Sequence, residues 1–211
     1  GSASGLTDTT GSGVTSRALL MISCMSRSCI GPIIDCIAIA TNSQTNALMM
    51  PEPPLKIDTT GKVEGYGIYL DDYSQAQVYG NVVKNSQSGG VYVHGGQNVS
   101  VHDNILSGVE RGIRVDQIDD DGLALTGLNV SNNLIISANN LAGYYYTSGT
   151  FASNVYAGPN NMGFDPQTFT QWQSSGHDTG SVRVADTTTE LNADWTLKTG
   201  SQSLSHGVDQ P

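Results

Sequence analysis

The chain has 211 residues, which suits one domain, and carries 9 Lys and Arg against 19 Asp and Glu for a formal net charge of −10. That balance argues against a nucleic-acid backbone or an anionic membrane surface as partner, since both are held through basic patches. Charged residues make up only 13%, Gly reaches 25, and no apolar run attains the ~18 residues of a membrane span.

Residues 1–60 come first. Gly1-Ser2-Ala3-Ser4 reads as a cloning remnant, and a leader removed ahead of it stays open. Cys24, Cys29 and Cys36 are odd in number, so they form no closed disulfide framework. Their spacing matches no zinc pattern, and packed or free thiols are the expectation. Residues 1–65 hold no Phe, Trp or Tyr but four of the five Met. Pro51-Glu52-Pro53-Pro54 breaks any helix or central strand. Residues 1–60 are therefore expected to be an irregular or capping segment, or diverged coils.

From residue 61 the chain repeats. Gly67-Ile-Tyr-Leu-Asp71 returns as Gly90-Val-Tyr-Val-His94 and as Gly112-Ile-Arg-Val-Asp116, with Gly143-Tyr-Tyr-Tyr-Thr147 as a weaker copy. Between them runs a second repeat: Val78-Tyr-Gly-Asn81, Val101-His-Asp-Asn104, Val130-Ser-Asn-Asn133 and Phe151-Ala-Ser-Asn154. A unit of about 22 residues with several short β-rich runs is the signature of a solenoid. Helical repeats are longer, and the Leu ladder of a leucine-rich repeat is missing. The expected fold is all-β, a right-handed parallel β-helix with coils over 61–157, then final coils and a C-terminal cap over 158–211. Gly and Asn supply the left-handed corners. The Asn column is expected to be structural, its amides hydrogen-bonding along the stack.

Strand alternation sends Ile68, Leu70, Val91, Val93, Ile113 and Val115 inward. Two columns then face outward. One is Tyr69, Tyr92 and Arg114, extended by Tyr145. The other is Asp71, His94 and Asp116, with Asp72 following Asp71. Sugars stack on aromatic faces and hydrogen-bond to carboxylates, so these columns form a candidate saccharide groove. Asp71 and Asp116 stand two rungs apart, about 9–10 Å, which leans toward the carboxylate separation of inverting glycosidases. The same residues also suit a soluble surface with no function. Arg111 and Arg114 are candidate forks for a uronate carboxylate, or plain ion-pair partners. Asp119, Asp120 and Asp121 form an acidic loop that is a solvated turn or a calcium site; no other metal or cofactor is expected.

The runs Gly67-Ile-Tyr-Leu-Asp-Asp72, Val78-Tyr-Gly-Asn81, Gly90-Val-Tyr-Val-His94 and Val101-His-Asp-Asn104 resemble the right-handed parallel β-helix, pectate-lyase-like family of secreted bacterial carbohydrate-active proteins. The resemblance covers residues 61–211. It implies a secreted, cell-surface or periplasmic protein acting on a polysaccharide or oligosaccharide. In glycoside-hydrolase members the Asp of the G-I-Y-x-D strand is a candidate catalytic carboxylate, here Asp71, with Asp72, Asp116 and His94 as candidate partners. Members carry a further carboxylate coil upstream; here that place reads Asn46-Ala-Leu-Met-Met-Pro-Glu-Pro-Pro54, a departure from the pattern. The D-P-H-E-like motif of related epimerases and alginate lyases is replaced by Asp165-Pro-Gln-Thr168. A lyase would use Arg111 or Arg114 with calcium.

In the tail, Phe164–Phe169 and Trp172 suggest a loop or short helix on the last coil, with late strands at Val182–Val184 and Trp195–Leu197. The expected function is hydrolysis of glycosidic bonds by a carboxylate pair, with a hydrolase favoured over a lyase. The alternative is a non-catalytic carbohydrate-binding or adhesive module, or a fragment of a larger enzyme.

Overall fold

The computed structural model describes residues 65–70, 75–116, 124–144, 149–158, 163–164 and 167–208, together with three short strands ahead of them. Those three are β1 (Ile37–Ile39), β2 (Leu48–Met49) and β3 (Lys56–Asp58). The coils follow as β4 (Tyr66–Leu70), β5 (Ala76–Tyr79), β6 (Val82–Lys84), β7 (Gly89–His94), β8 (Ser100–His102), β9 (Ile105–Asp116), β10 (Asn129–Ser131), β11 (Leu134–Tyr144), β12 (Thr150–Ala152) and β13 (Val155–Ala157). Then come β14 (Gly163–Phe164), β15 (Gln167–Thr168), helix α1 (Phe169–Ser174), β16 (Val182–Val184) and helix α2 (Gln202–Ser205).

Each coil visits three faces in turn. On the first, β4, β7 and the second halves of β9 and β11 pair in parallel. On the second, β5, β8, β10 and β12 do so. The third holds β6, the first halves of β9 and β11, then β13 and β16. The chain is thus a parallel β-solenoid, as its repeat predicts, with β1, β2 and β3 adding one pairing to each face.

Like side chains stack in columns because the register is kept from coil to coil. Val78, Val101, Val130 and Phe151 form one inward column. Ile68, Leu70, Val91, Val93, Ile113 and Val115 are all fully buried, as alternation requires. The corner between the second and third faces is built from a left-handed residue followed by Asn. Gly80, Asp103, Asn132 and Ser153 all take φ between 54° and 65°. The next residues, Asn81, Asn104, Asn133 and Asn154, are fully buried. The Asn104 Oδ1 accepts from Asn81 Nδ2 at 2.9 Å and from the Asn81 backbone N–H at 3.1 Å. Asn133 serves Asn104 in the same way, and Asn154 serves Asn133. The amides also donate to backbone carbonyls such as Val78 and Val101, so the ladder satisfies polar groups that no water reaches.

The ladder ends on a buried acid. Asn154 donates its amide to Asp178 Oδ1 at 3.0 Å, and its backbone N–H meets Ser181 Oγ at 2.8 Å. Asp178 also accepts from Tyr156, Trp172 and Ser181. Trp172 belongs to α1, which a capping box between Thr168 and Gln171 starts and which packs with Phe151, Phe164 and Phe169 on the end of the core. This is the short helix expected there.

The rest of the tail does more than close the end. Val82, Ile105, Leu134 and Val155 stack on the third face and are buried by Leu197 and Val208, with Leu191 and Trp195 packed alongside. The third face is therefore apolar on both sides, which explains its paired runs Val82-Val83, Ile105-Leu106 and Leu134-Ile135. Trp195 reaches back to the first full coil, where the Lys84 ammonium lies 5.2 Å from its ring centroid. Buried Glu190 pins this covering: it accepts from the Ser203 backbone at 2.9 Å and hydroxyl at 2.6 Å, at the start of α2. Trp195–Leu197 is not a strand; Leu197 makes a single antiparallel bridge to Leu191, because the segment crosses the outside of a face instead of extending a sheet. Among the described residues no helix is long and apolar enough to cross a membrane.

Candidate functional site on the first face

The first face presents its outward side chains in register. Tyr69 pairs with Tyr92, Tyr92 with Arg114, and His94 with Asp116. Both expected columns are therefore real where they are described. Beyond Arg114 the register departs from the repeat: Gly143, not Tyr145, stands beside Arg114. β11 opens at the 29-residue offset that Asn104 and Asn133 share, slips by one at Ser137 and is back at it by Asn140, so the Gly143-Tyr-Tyr-Tyr run does not align with Gly112-Ile-Arg-Val. Ala38 of β1 lies on the other side, beside Tyr69. The patch of large side chains is thus three rungs long, about 10 Å from first to last, between two small residues.

Tyr66 joins this patch, and the repeat does not point to it. Its ring lies where a Cβ on Gly89 would come within 2.9 Å of it, so only Gly at that place admits it. Tyr66 and Tyr92 have ring centroids 4.6 Å apart, and Tyr69 meets Tyr92 edge-on at 4.9 Å. His94 lies 5.4 Å from Tyr92 and 6.1 Å from Tyr69. The sequence signal was the change from Tyr66-Gly67 to Gly89-Gly90, where one coil gives up its side chain to another's ring.

Arg114 and Asp116 bind the cluster together. Arg114 donates from Nε to Asp116 Oδ1 at 3.3 Å and from Nη2 to Asp116 Oδ2 at 3.1 Å. Its Nη1 donates to the Tyr66 hydroxyl at 2.9 Å, and its guanidinium sits 4.4 Å from the Tyr92 ring centroid. The Tyr92 hydroxyl donates to Asp116 Oδ2. Tyr92, expected to be outward and open, is only 7% exposed because these neighbours cover it. Burial, then the bond to Asp116, then the charge of that carboxylate, hold its phenol well above the ordinary range. Burial works against the Arg114 charge, but the bonds to Tyr66 and Asp116 outweigh it and hold the guanidinium above its ordinary value.

Arg111 lies partly exposed in the middle of β9, opposite Asn140. Asp71, Asp72, Tyr145, Asp119, Asp120 and Asp121 lie outside the described residues. The second face carries a different group: Tyr79 stacks on His102 with planes 4° apart, and His102 Nδ1 lies 2.5 Å from Asp103 Oδ2. His102 is the last residue of β8.

Comparison with curated proteins and with solved structures gave no match. A scan of protein families matches residues 40–183 to the model described as periplasmic copper-binding protein (NosD). The chain belongs to the NosD family. The matched span covers the coils and stops inside β16, so what NosD shares with this chain is the solenoid. The periplasmic setting in the family's description agrees with the expected secreted or periplasmic location. Carbohydrate chemistry is no part of that description. The copper in it can be tested against the donors present. Among the described residues no three His, Cys, Asp or Glu side chains gather as a metal site. His94 and Asp116 adjoin, but the carboxylate is held by a guanidinium, whose charge opposes a cation at that spot. The described side chains therefore do not fit a copper centre.

Proposed function

We propose that this NosD-family solenoid is a periplasmic glycan-binding domain whose site is the first face at Tyr66, Tyr69, Tyr92, His94, Arg114 and Asp116. The observation that carries the reading is the arrangement itself: three tyrosine rings within 6.4 Å of one another, beside a hydrogen-bonded Arg–Asp fork, on one sheet. Aromatic faces take up the C–H faces of sugars, and the flanking carboxylate and hydroxyls take up their hydroxyl groups. The third face is covered by the chain's own tail, and of the other two the first carries the larger aromatic cluster.

Binding is favoured over hydrolysis by the hydrogen bonds that Asp116 already makes. A general acid must reach the glycosidic oxygen, and both oxygens of Asp116 are already engaged, Oδ1 by Arg114 Nε and Oδ2 by Arg114 Nη2 and the Tyr92 hydroxyl. Hydrolysis would then depend on Asp71 or Asp72. The test is affinity electrophoresis on a panel of soluble polysaccharides, with reducing ends and unsaturated ends assayed alongside. Retardation by at least one glycan, lost in Tyr69→Ala and without new chain ends, is the expected result. New reducing ends abolished by Asp71→Asn would make the protein a hydrolase; unsaturated ends would make it a lyase.

The family's description favours one second reading, copper binding. Most of the chain's softest donors, Met21, Cys24, Met25, Cys29, Cys36 and Met50, lie outside the described residues, and Met49 lies in β2. Copper titration of the whole chain against a variant with the three cysteines changed to Ser decides it. Retained stoichiometric copper in wild type, lost in the variant, would support that reading.

A further inference from the structure

We infer that the glycan taken by the first face is neutral and does not carry uronate groups. The inference rests on the glycan-binding reading above and sharpens it to a substrate class. An arginine on a sugar-binding face is the ordinary receptor for a uronate carboxylate, through a bidentate fork. Here that fork is already occupied. Nε and Nη2 of Arg114 face Asp116, Nη1 faces the Tyr66 hydroxyl, and the flat side of the guanidinium lies over Tyr92. The carboxylate a uronate would supply is supplied by the protein itself.

What remains open on this cluster is acceptor capacity. A carboxylate has about four lone-pair sites, and Asp116 receives three bonds, from Arg114 twice and Tyr92 once. The Tyr92 hydroxyl donates to Asp116, and the Tyr66 hydroxyl accepts from Arg114. Such a surface suits the hydroxyl donors of a neutral sugar. A uronate would bring a second negative charge beside Asp116, on a chain whose net charge is already −10. Arg111, three residues before Arg114 in β9, is the neighbouring guanidinium that could reverse this preference, so it is the control.

The experiment is a calorimetric titration of the full chain with two panels of oligosaccharides. One panel is neutral (glucan, mannan, xylan and galactan fragments) and one acidic (galacturonan and alginate fragments). The best neutral ligand should bind at least about tenfold more tightly than the best acidic one. Raising salt from low to high should change neutral binding by less than about twofold, since no charge pair is screened. Asp116→Asn unmasks Arg114, and the neutral preference should then narrow by about tenfold. Acidic fragments binding as tightly as neutral ones in wild type would overturn the inference, and their loss in Arg111→Ala would move the carboxylate site there. Binding of neither panel would sink the glycan reading itself. The comparison of the two panels on wild type decides the question even if Asp116→Asn fails to fold.

Discussion

Asp116 is where the chemistry of the first face is settled. Its carboxylate holds Arg114 and Tyr92 in place, and the tyrosine answers with a phenol that resists ionisation. The sign of that effect is testable. The folded phenol titrates above the unfolded one, so the stability it contributes is fully present below pH about 10 and is lost as the pH rises further. Unfolding by urea at pH 8 and pH 11 should show wild type losing more stability than Tyr92→Phe over that interval; equal losses would mean that Tyr92 is not held neutral. Gly89 offers a subtler probe. A methyl there would stand 2.9 Å from the Tyr66 ring and displace it, so Gly89→Ala should weaken glycan binding about tenfold or less while the coils stay folded by circular dichroism. Asp116, His94, Tyr69 and Tyr92 were all legible as outward residues, because period-two alternation fixes the direction of a side chain. Tyr66 was not, because its place depends on a ring crossing to the next coil, and no periodicity encodes that.

At the scale of elements, the corners and not the strands set the register. Asn104 accepts from the coil before it and donates to its own coil and the coils on either side. Asn104→Ala would leave the buried Asn81 N–H and several carbonyls without partners, each worth about 1–3 kcal/mol, so a loss of about 3 kcal/mol or more in unfolding free energy is expected from the urea midpoint. A loss under about 1 kcal/mol would show that the ladder is dispensable. The repeat made this column plain, since only one residue type recurs at the corner. It also misled once. Gly143-Tyr-Tyr-Tyr looks like a copy of the Gly-x-Tyr-x strand, yet the ladder fixes Gly143 beside Arg114. Tertiary hydrogen bonds outrank motif likeness where the two disagree. The ladder's terminus could have been read too, because Ser181-Val-Arg-Val184 stands in the place of Asn154-Val-Tyr-Ala157.

The molecule as a whole is a stack with one face sealed by its own tail. Solenoids are stabilised by neighbour contacts, so their ends and any bare apolar face are the weak points. Leu197 covers the stacked Val82, Ile105, Leu134 and Val155 column, and Leu197→Ala should cost about 2–4 kcal/mol and promote association of the exposed face, seen by light scattering. An unchanged scattering profile would mean that the tail is an ornament of the end alone. The composition foretold a cap but not this covering, because a segment with no repeat of its own carries no periodic mark of the surface it will meet. With the third face covered, the proposed glycan site lies on the first. The most direct test is a calorimetric titration of the whole chain with the glycan that retards it most, run in parallel on Tyr69→Ala. The account predicts saturable binding in wild type, weakened at least about tenfold in the variant. Binding equal in both proteins would place the glycan elsewhere, and no binding in wild type would contradict the assignment of the first face.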